Sequence, residues 1–266
     1  MKFAINTVIF REWELAKVIP LLKKYGYDGV EIAWIPPEEP LYTGKDINVP
    51  ELKKICSSVN LEIADICPFY PAEYDISHVS DEKRQKGVDF VKKIIDAANE
   101  LETKTIILVP SAVFAQPSGS FEETWSSCVK SLKELGTYAD KNNVKLAIEP
   151  LNRFLTHFVT RIDQAIKLVK DADAPGIGIM ADIFMMNMEE RSIEESLRQS
   201  KDYLLHVHIS DSNNFIPGTG HLDFDSIFKV LSEIGYKSYV SAEMEVNLSE
   251  AAESAKKTID YMIKYR

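Results

Sequence analysis

Short apolar runs and amphipathic stretches alternate eight times along the chain. Strand-like runs fall at residues 3–8, 30–33, 62–67, 104–109, 145–148, 177–181, around His206 and His208, and at 239–242. Between them the apolar spacing is helical at about 12–25, closed by Gly26, at 80–101, 120–141, from about Thr160 to Asp173, at 225–234 and at 249–265. Pro50 sits where the first turn of a further helix accepts proline. Ser80 is placed as a helix cap, Ser120 stands three residues before Glu123 in a capping-box spacing, and Thr160 stands three before Asp163. Pro36-Pro37-Glu38-Glu39-Pro40 cannot be helical, and the connection 183–188, Ile-Phe-Met-Met-Asn-Met, is a loop apolar enough to fold over something. Eight strand–helix repeats without a linker or low-complexity tract predict an α/β chain, a single-domain (β/α)8 TIM barrel over 1–266.

Composition narrows the class. Of 266 residues, 45% are hydrophobic and 27% charged, which suits a large buried core. No apolar stretch approaches the roughly 20 residues of a membrane span, and the N-terminus enters a strand pattern without a signal-peptide core, so a cytoplasmic protein is expected. Cys56, Cys67 and Cys128 are odd in number and widely spaced, as reduced thiols would be. A net charge of −10 argues against nucleic acid and anionic membranes as partners and leaves a small neutral molecule. A homo-oligomer is compatible with the sequence.

Four strand ends carry the candidate chemistry. Glu149, Asp182, His208 and Glu243 each close an apolar run, about thirty residues apart. In a barrel the carboxyl ends of the strands form the active face, so the four read as one cluster. Three carboxylates and one imidazole are a hard, oxygen-rich donor set suited to one divalent ion, Mn²⁺ first, with Mg²⁺, Co²⁺ or Zn²⁺ as alternatives. Without a cation the carboxylates would repel one another by several kcal/mol at an effective dielectric of about 20.

Taken in order, Glu149-Pro150-Leu151-Asn152-Arg153, Asp182-Ile183-Phe184-Met185-Met186-Asn187, His206-Val207-His208 and Pro217-Gly218-Thr219-Gly220-His221-Leu222-Asp223-Phe224 resemble the sugar isomerase/epimerase branch of the xylose isomerase-like barrels, near the D-tagatose 3-epimerases. The resemblance covers nearly the whole chain. It implies that Glu149, Asp182, His208 and Glu243 bind the metal. It also implies that Glu149 and Glu243 are the catalytic proton-transfer groups, acting on opposite faces of a sugar or polyol through a metal-stabilised enediolate. A dehydratase acting on a keto-inositol or keto-sugar with the same site is the alternative. The chain departs from the ketose 3-epimerases at Leu155, Met185 and Asn214, where they carry glutamate, histidine and arginine that hold the C1–C2 end of a ketose. A less polar or larger substrate is expected, such as a cyclic polyol or a keto-sugar derivative.

Trp34 and Phe69, after the second and third strands, either wall the pocket or close the barrel top, and with Leu155, Met185, Asn214 and His221 they are the candidate substrate contacts. His221 could alternatively order its own turn. His206, two residues before His208, is expected to support the site from one layer below. Cys67 is expected to be an inert thiol. A nuclease of the same barrel superfamily would need several more histidines than the five present.

Overall fold

The computed structural model describes residues 1–34, 48–69 and 71–266. The expected proline loop at 36–40 and Tyr70 lie outside the described residues. Eight strands, β1 (Lys2–Ile5), β2 (Gly29–Trp34), β3 (Glu62–Pro68), β4 (Thr105–Leu108), β5 (Lys145–Ile148), β6 (Ile177–Asp182), β7 (Leu204–Ile209) and β8 (Tyr239–Ala242), pair in parallel in the order β1-β8-β7-β6-β5-β4-β3-β2. A single parallel bridge between Asn6 and Glu31 joins the two ends of that order and closes the barrel.

Helices α1 (Leu15–Tyr25), α2 (Val49–Val59), α3 (Asp81–Glu100), α4 (Phe121–Lys141), α5 (Ile162–Ala172), α6 (Ile183–Glu189), α7 (Ile193–Ser200), α8 (Phe224–Glu233) and α9 (Ala251–Met262) follow the strands. Their apolar stripes bury residues such as Ile19, Ile95, Leu132, Leu168 and Ile259 against the outside of the barrel. Each such side chain contributes about 1.5–3 kcal/mol of hydrophobic stabilisation. Inside the barrel, Ala147 and Met180 pack with Cys67 and Ile107, and Phe69 rests on them. This inner layer is the floor beneath the strand ends.

Local signals decided several boundaries. Gly26 ends α1 with φ +98°, a conformation that a Cβ atom disfavours. Ser120 and Glu123 form the expected reciprocal cap of α4, and Pro50 lies in the first turn of α2. Others shifted. The first strand ends at Ile5 rather than Val8, because the Asn6 side chain accepts the Val8 amide at 2.8 Å and starts a 3₁₀ turn at Thr7. The first helix starts at Leu15, and the last, begun by a 3₁₀ turn at Leu248–Glu250, at Ala251. Ser80 precedes α3, but its hydroxyl makes no cap hydrogen bond. Thr160 does not cap α5. Arg161 occupies that position, and Gln164 reaches back to the amides of both residues.

The largest correction is at 183–188, expected as a loop and found as α6. Asp182 Oδ1 accepts the amides of Phe184 at 2.8 Å and Met185 at 3.2 Å, so the strand-end carboxylate itself caps the helix. Ile183 and Met186 face the core. Phe184, Met185 and Met188 remain half-buried, and α7 then completes the crossover to β7.

Candidate metal centre and active site

The strand register assembles the cluster. Asp182 is the direct neighbour of His208 across β6 and β7, and His208 of Ser241 across β7 and β8. Glu149 and Glu243 stand one residue beyond their strands, their amides still bonded to Leu108 and Ile209 of the adjacent strands. One donor atom each from Glu149, Asp182, His208 and Glu243 lies within 4.8 Å of all the others. The first three are buried, and Glu243, with 21% of its side chain exposed, opens the cluster to the barrel mouth.

His208 Nδ1 is sealed from solvent and has no hydrogen-bond partner of acceptable geometry, although Glu243 Oε2 is 3.0 Å away. Burial, reinforced by Glu243, holds the Glu149 carboxyl well above the usual range. Burial also raises Asp182 to about 7, against the opposing pull of His208. For His208, burial favours the neutral ring, but Glu31 and Glu243 on either side outweigh it and push its pKa up. These shifts describe anionic groups crowded together without their counter-charge, which a divalent ion among three carboxylates and one imidazole nitrogen would supply. The set fits such an ion.

Beneath the cluster lies a second layer whose anchor, Glu31, is absent from the candidates drawn from the sequence. This carboxylate, fully buried on β2, lies 3.2 Å from His206 Nε2 and 3.0 Å from His208 Nε2, and its Oε1 accepts the Asn6 side-chain amide at 2.5 Å. Burial alone would raise Glu31, but His208 and His206 outweigh it and hold it below the ordinary carboxylate range. Burial, followed by the charge of Glu31, raises the adjacent Asp65 well above its usual value. Asp65 Oδ2 is 3.3 Å from His206 Nε2 but makes no hydrogen bond of good geometry. His206 is hydrogen-bonded in this layer, and burial lowers its pKa against the opposing pull of Glu31. The missed signal was a charged residue inside an apolar strand, Glu31 between Val30 and Ile32 and Asp65 between Ala64 and Ile66, since a buried charge needs a partner.

The remaining candidates divide. Phe69 rests on the inner layer and its amide bonds to the Trp34 carbonyl at 2.8 Å, whereas the Trp34 side chain packs against the larger hydrophobic core. Met185 accepts the Asn152 amide on its sulfur at 3.0 Å, and the Leu155 carbonyl accepts Phe114 N at 2.8 Å. Asn214, at φ +61°, accepts the Ser210 hydroxyl at 2.9 Å and, through its carbonyl, Glu245 N. His221 is exposed, with Nδ1 2.9 Å from the Ser212 hydroxyl, so it orders its turn. That turn is organised by buried Asp211, which accepts the amides of Ser212, Gly218 and Leu222. Cys67 Sγ reaches Glu243 Oε1 at 4.0 Å, closer to the chemistry than its position in the sequence suggested, yet burial and then Glu243 keep it a thiol.

A parallel eight-stranded barrel with an acidic, histidine-containing cluster at the carboxyl ends of its strands has the layout of a barrel enzyme with a candidate metal site. The family model for the xylose isomerase-like TIM barrel matches residues 19–265. The chain is 26% identical over 272 aligned residues to 3-dehydro-D-guloside 4-epimerase of Escherichia coli, covering 98% of this chain and 99% of that one. It is 28% identical to D-psicose 3-epimerase of Ruminiclostridium cellulolyticum, covering 90% and 81%. The crystal structure of apo 3-keto-D-glucoside 4-epimerase from E. coli superposes with a TM-score of 0.86 at 25% identity, over 99% of both chains. This chain belongs to the xylose isomerase-like TIM barrel family and, within it, to the sugar isomerase/epimerase enzymes.

Proposed function

We propose that this protein is a divalent-metal-dependent epimerase of keto-sugar derivatives, with Glu149, Asp182, His208 and Glu243 holding one ion, Mn²⁺ by preference, and with Glu149 and Glu243 transferring protons. The observation that carries the reading is the convergence of those four side chains within 4.8 Å at the carboxyl end of the barrel. Bound there, a divalent ion supplies stabilisation of the negative charge that develops on the substrate's oxygens. The residues supply the rest. One glutamate takes the proton from the carbon beside the carbonyl, and the other returns one to the opposite face. Asp182 completes the donor set while capping α6, and the ring of His208 is fixed from below by Glu31.

The substrate class follows from what replaces the grips of the ketose epimerases. Leu155 and Met185 offer no charged group, and the Asn214 side-chain oxygen is taken by Ser210. A sugar whose first carbon carries a substituent needs fewer polar contacts there, which favours a 3-keto-glycoside over a free ketohexose. The relative covering this chain from end to end, named for a 3-dehydro-guloside, supports that reading.

The test is incubation of metal-loaded protein with a panel of 3-keto-glycosides, ketohexoses and inososes in deuterated water. Epimerisation of a keto-glycoside with metal-dependent deuterium uptake and no loss of water is expected. Loss of water would mark a dehydratase, and no uptake from any panel member would sink the proposal.

A further inference from the structure

We infer that Glu31 is a positioning residue for the metal centre: its carboxylate fixes the ring of His208 so that Nδ1 is the metal-facing nitrogen, and it steadies Glu243 through the side-chain amide of Asn6. The inference deepens the proposed function and rests on its metal reading. Three observations carry it. Nε2 of His208 lies 3.0 Å from the Glu31 carboxylate, and an anionic acceptor there keeps the ring proton on Nε2. The opposite nitrogen, Nδ1, is buried without a hydrogen-bond partner and belongs to the cluster with Glu149, Asp182 and Glu243. The Asn6 amide nitrogen is 2.5 Å from Glu31 Oε1 and 3.3 Å from Glu243 Oε1, so one amide bridges the buried carboxylate and the partly buried glutamate.

The donors come from two strands, His206 and His208 from β7 and Asn6 from just beyond β1, and only a carboxylate can accept from all three at once. The Asn6–Glu31 bridge is also where the barrel closes, which gives this pair the rigidity that a metal site requires. Glu31, His206 and His208 could themselves surround an ion. However, their separations of 3.0–3.2 Å are those of hydrogen bonds, and all three are sealed from solvent. A glutamine at position 31 would keep the shape but turn an NH₂ group toward one of the donors, and loss of such a supporting partner lowers metal affinity about 10–100-fold.

The experiment loads histidine-¹⁵N-labelled wild-type protein and Glu31→Gln with ¹¹³Cd²⁺, and measures Cd²⁺ affinity by chelator competition. Expected are one Cd²⁺ per wild-type chain, coupling to His208 Nδ1 with Nε2 protonated, and affinity lowered 10–100-fold in a Glu31→Gln variant whose circular dichroism is native. Should that variant fail to fold, the wild-type coupling pattern decides alone. Coupling to Nε2, two ions per chain, or a folded variant binding within twofold of wild type would each overturn the inference and leave the metal reading standing. A wild type that takes up no metal would overturn both.

Discussion

Oε2 of Glu243 stands 3.0 Å from Nδ1 of His208, without the geometry of a hydrogen bond. A proposed base and a proposed ligand thus face each other across the space where an ion would bridge them, and Glu149 and Asp182 complete the circle. The cluster should bind close to one equivalent of Mn²⁺. Metal analysis of protein purified without chelator, compared with Asp182→Asn, checks this, and retention of full occupancy by the variant would contradict the assignment.

Metal removal should lower the melting temperature, because an ion bound only by the folded state stabilises it by about 2.7 kcal/mol at a hundredfold excess over its dissociation constant. Scans with and without chelator read this directly. An unchanged transition would count against it.

The pH dependence has a definite sign. Asp182 rises from 3.8 to about 7 in the folded, metal-free protein, so the folded state holds a proton that the unfolded state releases. Its contribution is complete below about pH 4 and is lost as pH rises toward 7. His208, also raised, acts in the same direction through a higher range, losing its contribution as pH passes its folded pKa. Metal-free protein should therefore become less stable from pH 4 upward on account of these groups, while metal affinity increases, since the ion competes with their protons. Chemical denaturation at several pH values, with and without Mn²⁺, should show the stabilisation by metal growing with pH.

Glu149→Gln and Glu243→Gln should each lower turnover roughly 10²-fold to 10⁴-fold. Each variant should still exchange the substrate proton facing the surviving glutamate with solvent deuterium, without forming product. Near-wild-type turnover in both, with metal retained, would exclude the two-glutamate mechanism.

D-tagatose, D-fructose and D-psicose should be poor substrates, since Leu155, Met185 and Asn214 stand where polar grips would be needed. A turnover of about 10 s⁻¹ or more on any of the three would refute this. His221→Ala should change turnover little, because its Nδ1 is engaged by Ser212 within the turn.

By itself, the sequence determined the eightfold strand–helix alternation and the four strand-end groups. Both are local signals: hydrophobic period, caps such as Ser120 with Glu123, and a ligand-type residue closing each of four apolar runs. It could not show α6, because its start depends on Asp182 turning to cap it, which competes in any local reading with a loop. It could not show Glu31, Asn6 or Asp65 as the layer beneath the metal centre, since their partners lie up to 237 residues away along the chain. Those contacts exist only once β1 meets β8 and the Asn6–Glu31 bridge closes the barrel. A buried carboxylate between two apolar residues announces that it must be paired. Which imidazoles pair with it, and through which nitrogen, is decided by strand register and closure.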